Sequence, residues 1–198
     1  STGKMGYALA EEAVKLGAMV TLISGPVALK PPFGCKLVPV ETAEEMYQEI
    51  MKGFPSADIV IKTAAVADYR PEKILPQKMK KHSDELELKL VKNRDILKEL
   101  GEQKRGQFLI GFAAETEHVE EYAKEKLVKK NLDMIVANDV SLEGAGFGTD
   151  TNIVTIYKKD GTKRALGKLP KHEVAYEILK EASEMMKGTD YENCKGHC

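Results

Sequence analysis

The sequence predicts an α/β protein of Rossmann-like type, a mostly parallel sheet with helices on both faces. Two observations carry that prediction. Short apolar, β-branched runs such as AMVTLIS, ADIVIK and QFLIGFA read as strands buried on both faces. They alternate with stretches whose apolar residues recur at helical spacing, and strand–helix alternation of this kind specifies parallel pairing. At 198 residues and 42% hydrophobic composition the chain can bury one sizeable core.

The elements follow in order. Met5, Ala8, Leu9, Ala13 and Leu16 share one helical face and Gly17 stops it, so the opening STGKMG lies at a helix N-terminus. Unpaired N–H groups and the helix dipole favour an anion there, and the small residues Ser1, Thr2, Gly3 and Gly6 let one approach; an ordinary capped helix start is the plainer alternative. AMVTLIS is a strand ending at Gly25-Pro26, and CKLVPV is a short second one. Thr42 and Glu45 have capping-box spacing ahead of a helix whose face is Ala43, Met46, Ile50 and Phe54. ADIVIKTAAVADYR reads as a strand whose end dissolves into small residues before Asp68. Pro71 to Glu85 is rich in proline and lysine without periodicity, which predicts a long loop. ELELKLVKN alternates as a half-exposed strand does, and Asn93 stands at the N-cap of a short helix, so the N–H groups of Arg94, Asp95 and Ile96 form a second candidate anion site. The strand QFLIGFAAET, the helix EHVEEYAKEKLVKKN, the strands LDMIVANDV and NIVTIY, and a helix from about Lys171 to Lys187 complete the chain.

Composition excludes several classes of function. Thirty basic against thirty-one acidic residues argue against bulk nucleic-acid binding. There is no apolar run of membrane-spanning length and no signal-peptide pattern, so a soluble protein is expected. Cys35, Cys194 and Cys198 are too few for a disulfide scaffold, which suggests a reducing, cytoplasmic setting. The ending CKGHC cannot close a four-ligand metal site by itself, and residues 188–198 read as a disordered or added tail.

Ligands of parallel α/β sheets bind beyond the carboxyl ends of the strands, here Ser24 to Pro26, Ala64 to Arg70, Phe112 to Thr116 and Asn138-Asp139. Two residues break their local pattern. On the helix after Glu117, Val119, Tyr122, Ala123 and Leu127 form the apolar face, and Lys126 and Lys130 fall within the same arc. Either they snorkel at the edge of the core or they point two cations at a polyanion. Lys78, Lys80 and Lys81 cluster in the Pro71–Glu85 loop, where a lid carrying a lysine to phosphate is plausible beside the simpler reading of a solvated charge run.

Taken in order, STGKMGYALA, AAVADYRP, KMKK, LVKNRDIL, GFAAET, KEKLVKKNLDMIVANDV and GFGTDTN resemble the phosphopantothenoylcysteine synthetase domain of bacterial coenzyme A biosynthesis, over roughly Ser1 to Met186. The resemblance implies a synthetase domain over 1–187. It implies a ligase that activates the carboxylate of 4′-phosphopantothenate with CTP and Mg²⁺ as an acyl-cytidylate, which cysteine then attacks, and a homodimer often fused to a flavin-dependent decarboxylase. By position it places Ala64, Asp68, Asn93, Arg94, Asp95, Ile96 and Phe112 at the nucleotide, Lys126 and Lys130 on its phosphates, and Lys78 at the chemistry of the triphosphate. It also implies that a strand, a Gly-Gly-Thr turn and a stretch ending in Asn precede Ser1. The residues themselves leave CTP against ATP open. Two other readings compete: a short-chain NAD(P) reductase, suggested by TGKMG and the Tyr122-x-x-x-Lys126 pair, and a non-catalytic nucleotide-binding module. The reductase lacks its remaining fingerprint glycine and an acidic residue after TLIS, and Leu109 stands where its serine belongs.

Overall fold

The structure is a computed structural model that describes residues 2–73, 87–141 and 148–195, with side chains described as far as 188. The first half comprises α1 (Lys4–Lys15), β1 (Thr21–Ser24), β2 (Lys36–Pro39), α2 (Ala43–Gly53) with a 3₁₀ turn at Phe54–Ser56, β3 (Ile59–Lys62), β4 (Tyr69–Pro71) and β5 (Leu90–Lys92). The second comprises α3 (Ile96–Gln103), β6 (Phe108–Glu115), α4 (Val119–Lys129), β7 (Met134–Asp139), β8 (Thr151–Lys158), β9 (Lys163–Pro170) and α5 (Lys171–Lys195). The last helix thus runs past its expected end at about Lys187.

The strands form a five-stranded sheet in the order β3-β6-β7-β8-β9, a parallel pair β1-β2 and an antiparallel pair β4-β5. Strands β3, β6 and β7 are parallel, with Ile61 opposite Ile110 and Phe112 opposite Val136. The α/β expectation holds in this half. Beyond it, β8 and β9 extend the sheet antiparallel, and β9 was not anticipated. The single strand expected over ADIVIKTAAVADYR is divided: β3 belongs to the central sheet, and β4 leaves it to pair with β5. Three small residues, Thr63 to Ala65, follow β3 and supply no large or branched apolar side chain to continue a buried strand.

Alternation along β3 shows how the faces are filled. Ile59 and Ile61 pack on the side of α1 and α5, with Ile110, Val136, Ile156 and Ile178. Val60 packs on the opposite side, with Leu100, Leu109, Leu127 and Ile135 beneath α2, α3 and α4. Thr42 and Glu45 form the predicted capping box, the Thr42 side chain accepting from Glu45 N at 3.1 Å. Gly101 marks the closest approach in the second layer. A Cβ there would lie 1.9 Å from the Lys130 carbonyl oxygen, so only glycine lets α3 abut the end of α4.

Candidate functional site

The carboxyl ends of β3, β6 and β7 lie at one edge of the sheet, and the antiparallel β8 brings its amino end, Thr151 and Asn152, to the same edge. The N-terminus of α1 arrives there too. Gly3 precedes it in the left-handed region at φ 79°, and a Cβ on Gly6 would lie 2.6 Å from Thr63 Oγ1, so these glycines let the helix end sit directly on the end of β3. A cavity of about 120 Å³ opens between them, lined by Thr2, Gly3, Ala64, Phe112, Asn152 and Lys171 among others. Its wall includes the buried Oδ1 of Asn152, which accepts no hydrogen bond among the described residues. Lys4 closes one flank, donating to Gly148 O at 2.8 Å and Asp150 Oδ1 at 2.7 Å. Lys171 donates to Thr149 O and Thr151 O at 2.7 and 2.8 Å. Burial, then the nearby Lys4 ammonium, hold its pKa below the ordinary lysine value.

On the other face of the sheet edge lies a cluster of charges. Lys130, the C-cap of α4, donates to Asp95 with Nζ–Oδ distances of 3.0 and 3.2 Å, and Lys126 pairs with Glu115 at the end of β6. Asp95, not Asn93, caps α3: its Oδ1 accepts from Lys98 N at 3.1 Å. The expected helix start is therefore displaced by two positions, because Asp95 also meets the Lys130 ammonium and a carboxylate there serves both donors. Burial opposes the charge on Asp95, but the bonds from Lys130 and Lys98 outweigh it and hold the carboxyl below its usual range.

Asn93 has a different task. Its Nδ2 donates to Ala67 O at 2.8 Å, its Oδ1 accepts from Arg70 at 3.1 Å, and its amide donates to Asp68 O at 2.7 Å. It thereby fastens the start of α3 to the β3–β4 connection. The Arg94 guanidinium turns toward α2, 4.9 Å from the Tyr47 ring and 3.3 Å from Glu44. Ile96 is buried in the core, so only its backbone is available to a ligand.

The predicted residues thus fall into two groups. Thr2, Gly3, Ala64 and Phe112 line the cavity, and Asp95, Lys126 and Lys130 form the charged cluster. Asp68 lies on the β3–β4 connection and Asn93, between β5 and α3, is bonded to it, whereas the Arg94 side chain is directed elsewhere. Ser1 and Lys78, with most of the Pro71–Glu85 loop, lie outside the described residues. Lys4, Asn152 and Lys171 were missed, and so was Lys62, the last residue of β3, whose Nζ donates to Ala64 O at 2.9 Å. A lysine closing the apolar run IVIK, on the same strand face as Val60, was the signal for it. Tyr122 meets His118 with ring centroids 5.9 Å apart, and Lys126 is engaged by Glu115. Among the described residues no group of three His, Cys, Asp or Glu side chains could hold a metal ion.

Residues 1–186 match the family described as DNA/pantothenate metabolism flavoprotein C-terminal domain. The coenzyme A biosynthesis bifunctional protein CoaBC of Bacillus subtilis is 56% identical over 190 residues, covering 96% of this chain and 47% of that protein. Its counterpart from Escherichia coli K12 is 47% identical over 167 residues, covering 82% and 41%. The chain spans about half the length of these relatives. A crystal structure of the C-terminal domain of a CoaBC protein superposes with a TM-score of 0.81 at 49% identity, covering 95% of this chain and 85% of that one. A Cab2 mutant in complex with phosphopantothenate-cysteine shares the fold, with a TM-score of 0.77 at 15% identity, covering 98% and 80%.

Proposed function

The chain belongs to the DNA/pantothenate metabolism flavoprotein C-terminal domain family, and from that premise we propose that it is the phosphopantothenate–cysteine ligase of coenzyme A biosynthesis, using CTP. One observation carries the reading beyond kinship. Lys126 and Lys130, which interrupt an apolar helix face, stand at the ligand edge of the sheet, each held by a carboxylate. Such an arrangement suits a polyanion: its phosphates compete with Glu115 and Asp95 for ammonium groups already in place, so little reorganisation accompanies binding.

In the proposed reaction a carboxylate oxygen of 4′-phosphopantothenate attacks the α-phosphorus of CTP and the bond to pyrophosphate breaks. The cysteine amine then attacks the acyl carbon, CMP departs with the bridging oxygen, and the amine proton passes to solvent. The N-terminus of α1, with Thr2 and Gly3, presents backbone N–H groups to an anion in the cavity. Lys126 and Lys130 neutralise the polyphosphate, and Lys78 is proposed to contact it during the transfer. Mg²⁺ enters as part of the nucleotide substrate, with Asp68 as the candidate carboxylate for it. A homodimer, a cytoplasmic setting and a fused flavin-dependent decarboxylase belong to the same proposal. No helix among the described residues is long and apolar enough to cross a membrane.

The test is release of pyrophosphate and CMP from CTP, dependent first on 4′-phosphopantothenate and then on cysteine, with ATP and NADPH as controls. Binding of NADPH in place of CTP would overturn the proposal. CTP binding without pyrophosphate release would favour the non-catalytic module.

A further inference from the structure

Among the described residues three lysines, Lys62, Lys126 and Lys130, approach the charged side of the ligand edge, and two of them are paired. Lys126 has Glu115 and Lys130 has Asp95, but Lys62 forms no ion pair among the described residues. Its ammonium is satisfied by one neutral acceptor, the Ala64 carbonyl two residues along its own chain. The side chain is half-buried, and it lies near Lys130 at the end of α4, Asp95 at the start of α3 and Asp68 on the β3–β4 connection. Burial, and after it the Lys130 charge, hold its pKa below the ordinary lysine value, against the opposing pull of Asp95 and Asp68. A half-buried ammonium beside a second one, without a carboxylate of its own, costs the fold free energy until an anion arrives.

Lys62 also occupies a place that makes exchange easy. It ends β3 where the strand gives way to Thr63-Ala64-Ala65, the segment that lines the cavity. Its side chain is on the opposite strand face from Ile61, toward α3 and α4. It is therefore attached to the cavity wall through its backbone and to the charged cluster through its side chain.

We infer that Lys62 is a further cation of the nucleotide site, beside Lys126 and Lys130, exchanging its bond to the Ala64 carbonyl for a phosphate oxygen when the triphosphate binds and so linking the two halves of the site. The inference rests on the nucleotide reading above and adds to it a residue with a stated contact. It makes opposite demands on stability and binding: the unliganded fold is better without the charge, and the complex needs it.

The experiment compares wild type, Lys62→Met, Lys62→Arg and Lys130→Met by calorimetric titration with CTP and Mg²⁺, and by thermal melting with and without inorganic tripolyphosphate. Lys62→Met should melt no lower than wild type without ligand, gain less from tripolyphosphate, and bind CTP at least about tenfold more weakly, the effect of losing one charged hydrogen bond. Lys62→Arg, which keeps the charge, should recover most of the affinity. A Lys62→Met chain that binds within about twofold of wild type while Lys130→Met binds weakly would overturn the role of Lys62 and leave the nucleotide reading standing. A Lys62→Met chain that melts lower than wild type would overturn it too, by showing a structural lysine. Failure of wild type to bind CTP at all would overturn the nucleotide reading, and this inference with it.

Discussion

The five-stranded sheet and the β1-β2 pair both contain parallel strands with apolar residues and reach different ends. FLIGFA in β6 and MIVAN in β7 are almost wholly buried, closed on one face by α1 and α5 and on the other by α2, α3 and α4. TLIS in β1 carries Leu22 and Ile23 between Thr21 and Ser24, yet even these apolar residues are only half-buried, and the residues of β2 are mostly exposed. Ile23 is the β1 residue that packs against the core of the larger sheet. Apolar character makes a strand, but burial depends on how many neighbours cover it.

That contrast can be broken at its strongest point first. Gly101→Ala sets a Cβ 1.9 Å from a backbone carbonyl that cannot swing aside. We expect a loss of about 4 kcal/mol or more, or no cooperative folding, in urea denaturation. A milder outcome would show that the α3–α4 layer yields as readily as the β1-β2 pair.

The next test sets the two sheets side by side. Leu109→Ala, at a fully buried position in β6, should cost about 3 kcal/mol, and Ile23→Ala in β1 about 1 kcal/mol, because the partly covered site leaves less cavity behind. Amide exchange should follow the same order, with β6 and β7 protected to the global limit and β1 and β2 exchanging through local opening. Equal protection in both would end the distinction.

Two carboxylates sharpen the comparison at the far edge of the larger sheet. Glu181 on α5 is buried and meets Lys158 of β8 and Arg164 of β9, the latter at 2.6 Å. Burial works against its charge, and the bonds from Lys158 and then Arg164 prevail, holding the carboxyl below its ordinary value. Its contribution is therefore complete above the ordinary carboxylate range and is lost as pH falls through the lowered folded value. Glu181→Gln should cost about 2 kcal/mol at pH 7, less than a full buried-pair loss because Arg164 keeps Glu177 at 2.7 Å, and should flatten the acid limb of a stability–pH curve. Glu120 on α4 also has a lowered pKa, to about 2, held there by Lys124 and then Lys163 of β9. It lies open to solvent, where salt screens the interaction, so Glu120→Gln should leave denaturation midpoints unchanged, and in the wild-type chain raising the salt concentration should move the Glu120 carboxyl back toward its ordinary titration range.

What the sequence revealed, and what it hid, divides along similar lines. Thr42 and Glu45 were readable because a capping box is a local pattern, and Leu109 because β6 is apolar on both faces. Strand β9 was not, since KRALGKLP presents one side to solvent, buries Leu166 and carries Gly167 where the alternation would continue. Asn93 looked like the better cap, and Asp95 displaced it through Lys130, a partner contributed by another helix. Lys126 and Lys130 stood out by interrupting an apolar helix face, which left snorkelling and polyanion binding open, and only the family resemblance chose between them. Lys62 offered a fainter signal, a lysine closing the apolar run IVIK, and its significance emerges once Asp95 and Glu115 are seen to be occupied by other ammonium groups.

The reversal of direction at β8 has a practical consequence. Because β8 and β9 run against β7, the turn joining them, Lys159 to Thr162 with Gly161 at φ 86°, lies at the edge of the sheet opposite the cavity. Within it Asp160 accepts from the Thr162 amide at 2.8 Å and the Thr162 hydroxyl at 2.6 Å, and the glycine is open to solvent. A fluorophore or an immobilisation tether attached at this turn would hold the protein by its far end, leaving every strand end that bears a candidate ligand contact facing the solution.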